Sequence, residues 1–229
     1  MLQIQTKYTS IGGQDPDNMP YNPRASVTDQ VKASVASSLN NLRHIDSDTS
    51  AAYIDCLVLH SPFPDPIQTA EAWQAMEQHV PHSARTLGIS NIYSLPLLEA
   101  LYRAARVKPS VVQNRFYADS LYDQDVRAFC QAQGITYQSF WTLTANPHLE
   151  GSEVVASLAK EADVSRAVAL YSLVLGLGRV SVLDGTTKVE RMKADIEGVE
   201  KVAEWRASRP DDWQRIASAF KVMLQGQDS

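Results

Sequence analysis

The sequence predicts an α/β protein built on parallel strands, and three observations carry that prediction. Short apolar runs alternate with segments of helical periodicity along most of the 229 residues, which is the order that parallel strands joined by helical crossovers require. The run at residues 53–62 is rich in Ile, Val and Leu without strict alternation, as expected of a strand buried on both faces. The sequence shows no linker or internal repeat, so a single domain over residues 1–229 is predicted.

The first half of the chain contains four predicted strands. Residues 2–6 alternate apolar and polar side chains, which predicts a short strand, and a loop rich in Gly, Pro, Asn and Asp follows. A helix through residue 42 is indicated by apolar side chains at helical spacing after Ser26 or Thr28, either of which can cap it. Pro96 suits the first turn of a later helix. The remaining predicted elements here are the strand at 53–62, a helix carrying residues 70–80, a strand at 85–90, a helix at 97–105 and a strand at 109–113.

The second half continues the same alternation. A helix over residues 121–133 is predicted to end at Gly134, a residue that suits the left-handed position after a helix. Residues 135–141 are rich in aromatic and β-branched side chains and predict the fifth strand. A helix at 152–162 is followed by one from the capping Ser165 to about residue 176. The last strand is predicted at 180–183, with closing helices at 187–202 and 211–224.

Composition excludes several classes of function. The net charge of −5 argues against nucleic-acid binding, which needs a basic surface. The sequence has no apolar run near the roughly 20 residues that a membrane span needs, and no signal peptide is recognised at its start. Cys56 and Cys130 are far apart in sequence, so we expect free thiols in a reducing, cytoplasmic compartment. The histidines show no metal-ligand spacing, and no metal site is predicted.

His60 lies at the C-terminal end of the run at residues 53–62. Functional side chains gather at the C-terminal ends of parallel strands, so His60 is a candidate catalytic residue. A lone histidine after an apolar run is, taken in isolation, more often a structural residue. The residues around it decide between the two interpretations.

Several segments stand in an order that resembles one enzyme family. They read Tyr-Ile-Asp-Cys-Leu-Val-Leu-His-Ser-Pro at 53–62, Leu-Gly-Ile-Ser-Asn at 87–91, Val-Lys-Pro-Ser-Val-Val-Gln-Asn at 107–114 and Leu-Asp-Gly-Thr-Thr-Lys-Val-Glu-Arg at 183–191. These segments are similar to those of the aldo-keto reductases, TIM-barrel enzymes that use a nicotinamide cofactor. Their residues are closest to a branch associated with fungi, and the resemblance covers most of the chain.

The resemblance implies roles for individual residues. Lys7 and His60 match the family's catalytic lysine and histidine. Phe140 stands where the family stacks an aromatic ring on the nicotinamide. Asn and Gln side chains can complement both the donor and the acceptor of an amide, and a helix start flanked by cations suits a phosphate. The matching positions are Ser90, Asn91 and Gln113 for the nicotinamide amide, and Gly185, Thr186, Thr187, Lys188 and Arg191 for the adenosine phosphate of NADP.

The sequence also departs from the family pattern. The family has two further strands before the position of Lys7, which carry an Asp and the Tyr that protonates the carbonyl oxygen. We therefore expect an N-terminally truncated, incomplete TIM-type barrel of about six parallel strands with outer helices, lacking the first two βα units. A homodimer is expected to cover its open edges. Ala194 and Asp195 replace the usual Glu-Asn adenine contacts, and Asp184 stands where a proline is common.

Three functions fit these observations. The first is NADP-dependent reduction of a small or polyketide-like carbonyl compound in secondary metabolism, with Tyr8, Tyr117 or His60 as the substitute acid. The second is a non-redox tailoring enzyme, a dehydratase, isomerase or cyclase, that uses His60 and Lys7. The third is a catalytically inactive binding protein. Binding of the cofactor distinguishes them.

Overall fold

The computed structural model of the chain describes residues 3–43 and 52–226. Residue 2, the predicted start of the first strand, lies outside them. In the described residues the strands are β1 (Gln5–Tyr8), β2 (Ile54–Leu59), β3 (Ala84–Ser90), β4 (Pro109–Arg115), β5 (Thr136–Phe140) and β6 (Val180–Val182). The α-helices there are α1 (Val27–Asn41), α2 (Pro66–Glu77), α3 (Leu95–Ala104), α4 (Gln124–Gln133), α5 (Pro147–Glu150), α6 (Glu153–Glu161), α7 (Arg166–Leu175), α8 (Val189–Ser208) and α9 (Pro210–Leu224).

The strands pair in chain order, β1 to β6. Registers are parallel for β1 with β2, β2 with β3, β3 with β4, and β5 with β6. This confirms the predicted α/β class with six parallel strands and surrounding helices. The chain divides into two compact units, Met1–Gln113 and Asn114–Ser229, and β4 runs from the first into the second. The single domain predicted from the sequence stays a prediction.

In the first unit, one face of the sheet is packed closely around a glycine. Cys56, Val58 and Val111 form an apolar cluster on this face, and Gly88 is the register partner of both Val58 and Val111. A Cβ atom at Gly88 would lie 3.0 Å from the Val111 Cβ and 3.2 Å from the Val58 Cγ2. A side chain at this position would force Val111 or Val58 to shift by a few tenths of an ångström, so glycine lets the neighbouring strands pack closely there.

Helix α2 contributes a buried tryptophan to the core of the same unit. Trp73 is 1% exposed, and its Nε1–H donates to the Val107 carbonyl at 3.1 Å. Met76 on the same helix is also buried. The helix therefore combines apolar burial with a satisfied indole donor.

In the second unit, the predicted helix over residues 121–133 begins later than the sequence suggested. Leu121, Tyr122 and Asp123 have φ of 50°, 54° and 52°, and α4 starts at Gln124. Asp123 Oδ2 accepts hydrogen bonds from the Asn114 amide at 2.7 Å and the Tyr137 hydroxyl at 2.9 Å. Because these partners come from neighbouring strands, the left-handed segment is held by packing that local sequence signals do not contain.

Several predicted helix ends are confirmed. Ser26 Oγ accepts from the Asp29 N–H at the start of α1, and Ser165 Oγ accepts from the Val168 N–H at the start of α7. Gly134 follows α4 with φ of 72°. Within the described residues no helix combines the length and apolar character that a bilayer span needs.

Candidate active site

Lys7 and His60 lie at the C-terminal ends of neighbouring strands. Lys7 pairs with Val58 across β1 and β2, and the His60 N–H donates to the Tyr8 carbonyl at 2.9 Å. Side chains alternate along a strand, so His60, two residues beyond Val58, points to the same face as Lys7. The structure thus brings together the two residues predicted to be catalytic.

The surroundings of Lys7 and His60 lower the pKa of both side chains. Burial lowers the pKa of the Lys7 ammonium, and the nearby Cys56 thiol offsets part of that effect. Burial also lowers the pKa of His60, and the positive charge of Lys7 lowers it further. Across residues 3–43 and 52–226, Lys7 forms no ion pair with a carboxylate. The Lys7 charge therefore acts on His60 without being neutralised by a described acidic group.

The loop after β1 lies against the His60 ring. A Cβ atom built on Gly13 would lie 3.3 Å from His60 Nδ1 and 2.8 Å from Thr9 Cγ2. A Cβ atom at Gly12 would have no neighbouring atom within 4 Å. Gly13 therefore permits a close approach of the loop to the imidazole. The residue pattern predicted only a turn-rich loop here, without a signal for contact with His60.

The three residues predicted to bind the nicotinamide amide are brought together beside His60. Ser90 Oγ donates to the Gln113 carbonyl at 2.7 Å, and the Asn91 N–H donates to the same oxygen at 3.0 Å. Asn91 Nδ2 donates to the His60 carbonyl at 2.8 Å, and its Oδ1 accepts from the Tyr93 hydroxyl at 3.3 Å. Asn91 has φ of 54°, a conformation that asparagine tolerates better than most residues. The arrangement presents a cluster of amide and hydroxyl groups at the ends of β3 and β4.

The other predicted cofactor residues lie in the second unit. Phe140 ends β5 and packs edge-on against Trp141, with ring centroids 6.2 Å apart. The Arg115 guanidinium lies 4.2 Å from the centre of the Trp141 ring, a contact that the sequence analysis missed. The predicted phosphate segment runs from the end of β6 to the start of α8, at residues 185–191. At Gly185 a Cβ atom would meet nothing within 4 Å.

The structure narrows the choice of substitute acid. Tyr8 is fully buried, its hydroxyl donates to Gln30 Oε1 at 3.1 Å, and burial raises its pKa. As the neighbour of Lys7 in the same strand, Tyr8 points to the opposite face. Tyr117 belongs to the second unit, where Arg115 lies over its ring. In the first unit, His60 is therefore the named acid that shares a face with Lys7.

A family model places this chain among known proteins. The model of the aldo/keto reductase family matches residues 1–223. Since that match covers nearly the whole chain, the chain belongs to the aldo/keto reductase family, as the sequence motifs indicated.

Similar proteins support the same placement. The chain is 28% identical over 177 residues to an uncharacterized oxidoreductase of Bacillus subtilis, YtbE, a match that covers 77% of this chain and 59% of the relative. It is 26% identical over 192 residues to an uncharacterized oxidoreductase of Schizosaccharomyces pombe, C2F3.05c, covering 78% and 68%. The chain thus spans less than two thirds of the Bacillus relative.

Two solved structures show the same fold. The aldose reductase of Giardia lamblia aligns with a TM-score of 0.63 at 20% identity, covering 87% of this chain and 67% of that one. A mutant of Gox0644, solved in complex with NADPH, aligns with a TM-score of 0.62 at 19% identity, covering 87% and 70%. At these identities the likeness concerns the fold.

Proposed function

We propose that this chain reduces a carbonyl compound with a nicotinamide dinucleotide, and that His60 is the proton donor. The observation that carries the proposal is the placement of Lys7 and His60 on one face, at the ends of β1 and β2. Reacting groups of parallel α/β barrels are found at this end of the strands. Membership of the aldo/keto reductase family supports the same class of reaction.

The residues of the pair have complementary roles in such a reduction. A bound nicotinamide coenzyme would supply the hydride to the carbonyl carbon. The His60 imidazolium would give a proton to the carbonyl oxygen, and its lowered pKa makes it a stronger acid. The Lys7 ammonium would stabilise the negative charge that develops on the same oxygen.

The residues beside the pair suit the amide of a nicotinamide. Ser90, Asn91 and Gln113 offer amide and hydroxyl groups at adjacent strand ends, a combination that can serve both the donor and the acceptor of a carboxamide. NADP as the coenzyme is a prediction from the sequence, made on Lys188 and Arg191. A small or polyketide-like carbonyl substrate, a homodimer and a cytoplasmic location remain predictions from the sequence.

A second function uses the same two residues without hydride transfer. In a dehydration, isomerisation or cyclisation, His60 would move a proton and Lys7 would stabilise an enolate oxygen. One observation favours it: both ends of the Asn91 amide already have protein partners, the His60 carbonyl and the Tyr93 hydroxyl. The second Nδ2 hydrogen bonds Ser90 Oγ, so a nicotinamide carbonyl could accept from Nδ2 only by replacing one of its two bonds.

Coenzyme consumption tests the proposal. The full chain is mixed with NADH or NADPH and with a panel of aliphatic and aromatic aldehydes and ketones, while coenzyme absorbance and product are followed together. We expect one alcohol formed for each coenzyme oxidised. Conversion of a carbonyl substrate without coenzyme oxidation would support the proton-transfer alternative. Absence of both coenzyme binding and conversion would contradict the proposal and favour an inactive binding protein.

Gly13 offers a test of how His60 is positioned. Gly13→Ala is expected to lower kcat/KM by up to about 10-fold, because the new methyl group presses on Thr9 and on the imidazole and a small displacement of a reacting group is costly. Gly12→Ala, its neighbour with open space around it, should stay within about twofold. The His60 ring signals in NMR spectra should shift in the first variant alone. Equal activity of the two variants would show that the loop contact does not position His60.

A further inference from the structure

In the predicted phosphate segment, two backbone N–H groups already donate to nearby side-chain oxygens. Asp184 Oδ1 accepts the Thr186 N–H at 3.1 Å, and Thr186 Oγ1 accepts the Lys188 N–H at 3.2 Å. Backbone N–H groups before a helix are the donors that an incoming phosphate uses. Two of them are occupied here, one of them by a carboxylate.

A second carboxyl group lies beside the first. The Asp195 side chain lies on α8, and burial, followed by the charge of Asp184, raises the pKa of Asp195. Both line a cavity of about 360 Å³, with Tyr171 and Val199 also in its wall. Burial raises the pKa of Tyr171 to about 12, and the charges of Asp184 and Asp195 contribute to that shift. The pKa values of Asp195 and Tyr171 are therefore both raised in part by the charge of Asp184.

The basic residues around the predicted phosphate segment do not outnumber the acidic ones. Arg191 is the cation that acts on Asp195. Over residues 184–195 the sequence has as many carboxylates as cations, so the formal charges cancel. The members of this set are Asp184, Glu190 and Asp195, against Lys188, Arg191 and Lys193.

We propose that Asp184 and Asp195 make this chain select against the 2′-phosphate of NADPH and bind NADH in preference. The inference rests on the proposed function, since it concerns the coenzyme of that reaction. A 2′-phosphate placed at residues 184–188 would meet two carboxyl groups and would have to displace Asp184 from the Thr186 N–H. The ribose hydroxyls of NADH carry no charge, and a carboxylate accepts hydrogen bonds from such hydroxyls. The residues present therefore do not fit the phosphate that distinguishes NADP.

Binding of coenzyme fragments to the full chain tests the selection directly. Isothermal titration with 2′,5′-ADP and 5′-AMP, and with NADPH and NADH, compares ligands that differ by the 2′-phosphate. In the unmodified chain we expect the ligand without this phosphate to bind at least about threefold more tightly, as repulsion between partly screened charges implies. In the double variant Asp184→Asn, Asp195→Asn, binding of 2′,5′-ADP should strengthen about tenfold, whereas binding of 5′-AMP should stay within about twofold. Asparagine at 184 can still accept the Thr186 N–H, so the turn is retained.

A matched control distinguishes the effect of carboxylates near the phosphate segment from the effect of the net charge of the chain on coenzyme binding. Glu204→Gln removes one carboxylate from the same helix, α8, more than two turns beyond Asp195, and should leave the preference unchanged. Tighter binding of NADPH than of NADH by the unmodified chain, or no gain in the double variant, would overturn the inference and leave the proposed function standing. If neither coenzyme binds, the proposed function fails and the inference fails with it.

Discussion

Replacing His60 by glutamine is expected to lower kcat for carbonyl reduction by about 10²- to 10³-fold, because the reaction loses a positioned proton donor. Glutamine approximates the size of the imidazole and can still hydrogen-bond, but it cannot deliver a proton at neutral pH. Binding of the coenzyme should change little, since the His60 contact to Asn91 uses the backbone carbonyl. In the unmodified chain, kcat should fall as the pH rises through the lowered pKa of His60, because the imidazolium is the acid.

The matched control for this experiment is His82→Gln, at an exposed position in the same unit. It should retain full kcat and the same pH profile. A His60→Gln variant with kcat within about threefold of the unmodified chain would remove His60 from the role of acid, since a positioned acid contributes far more than that.

Truncating Trp73 to alanine is expected to lower the free energy of unfolding by about 3–5 kcal/mol. The side chain is 1% exposed in the core of the first unit, so its removal leaves a cavity as well as an unpaired Val107 carbonyl. Most single domains have only about 5–15 kcal/mol of stability. The loss should therefore be visible as a large shift in the urea midpoint, followed by circular dichroism.

If the alanine variant does not fold, the stability of Trp73→Phe is measured instead. Phenylalanine retains most of the apolar volume but cannot donate to Val107, and it should cost about 1–2 kcal/mol. A loss below about 1 kcal/mol for the alanine variant would mean that Trp73 is not packed as described, since such truncations ordinarily cost more.

The parts of the fold that local signals control were predictable. Apolar runs located the strands, and residues that end or cap helices, such as Ser165 and Gly134, lie where the sequence placed them. The start of α4 was wrong by three residues, because the left-handed run before it is held by Asn114 and Tyr137. Those partners lie on strands 9 and 14 residues away from Asp123, beyond the reach of local helix signals.

In the candidate site too, strand positions were predictable from the sequence, whereas contacts made by loops were not. The strand ends placed Lys7 and His60 together, and the alternation of side chains already implied that Tyr8 faces the other way. The contact of Gly13 with His60 depends on how a loop folds back. The approach of Asp184 to Asp195 likewise depends on the path from β6 into α8, which composition does not specify.

The pKa of His60, measured by NMR titration of its ring protons before and after Lys7→Met, tests the central claim most directly. We predict a pKa below the ordinary value of 6.5 in the unmodified chain and a rise in the variant, which remains below 6.5 because burial is the larger cause. Lys32→Met serves as the matched control. It should raise the pKa of His79, which Lys32 lowers, and leave that of His60 unchanged. A His60 pKa that is the same with and without Lys7 would contradict the account of the pair.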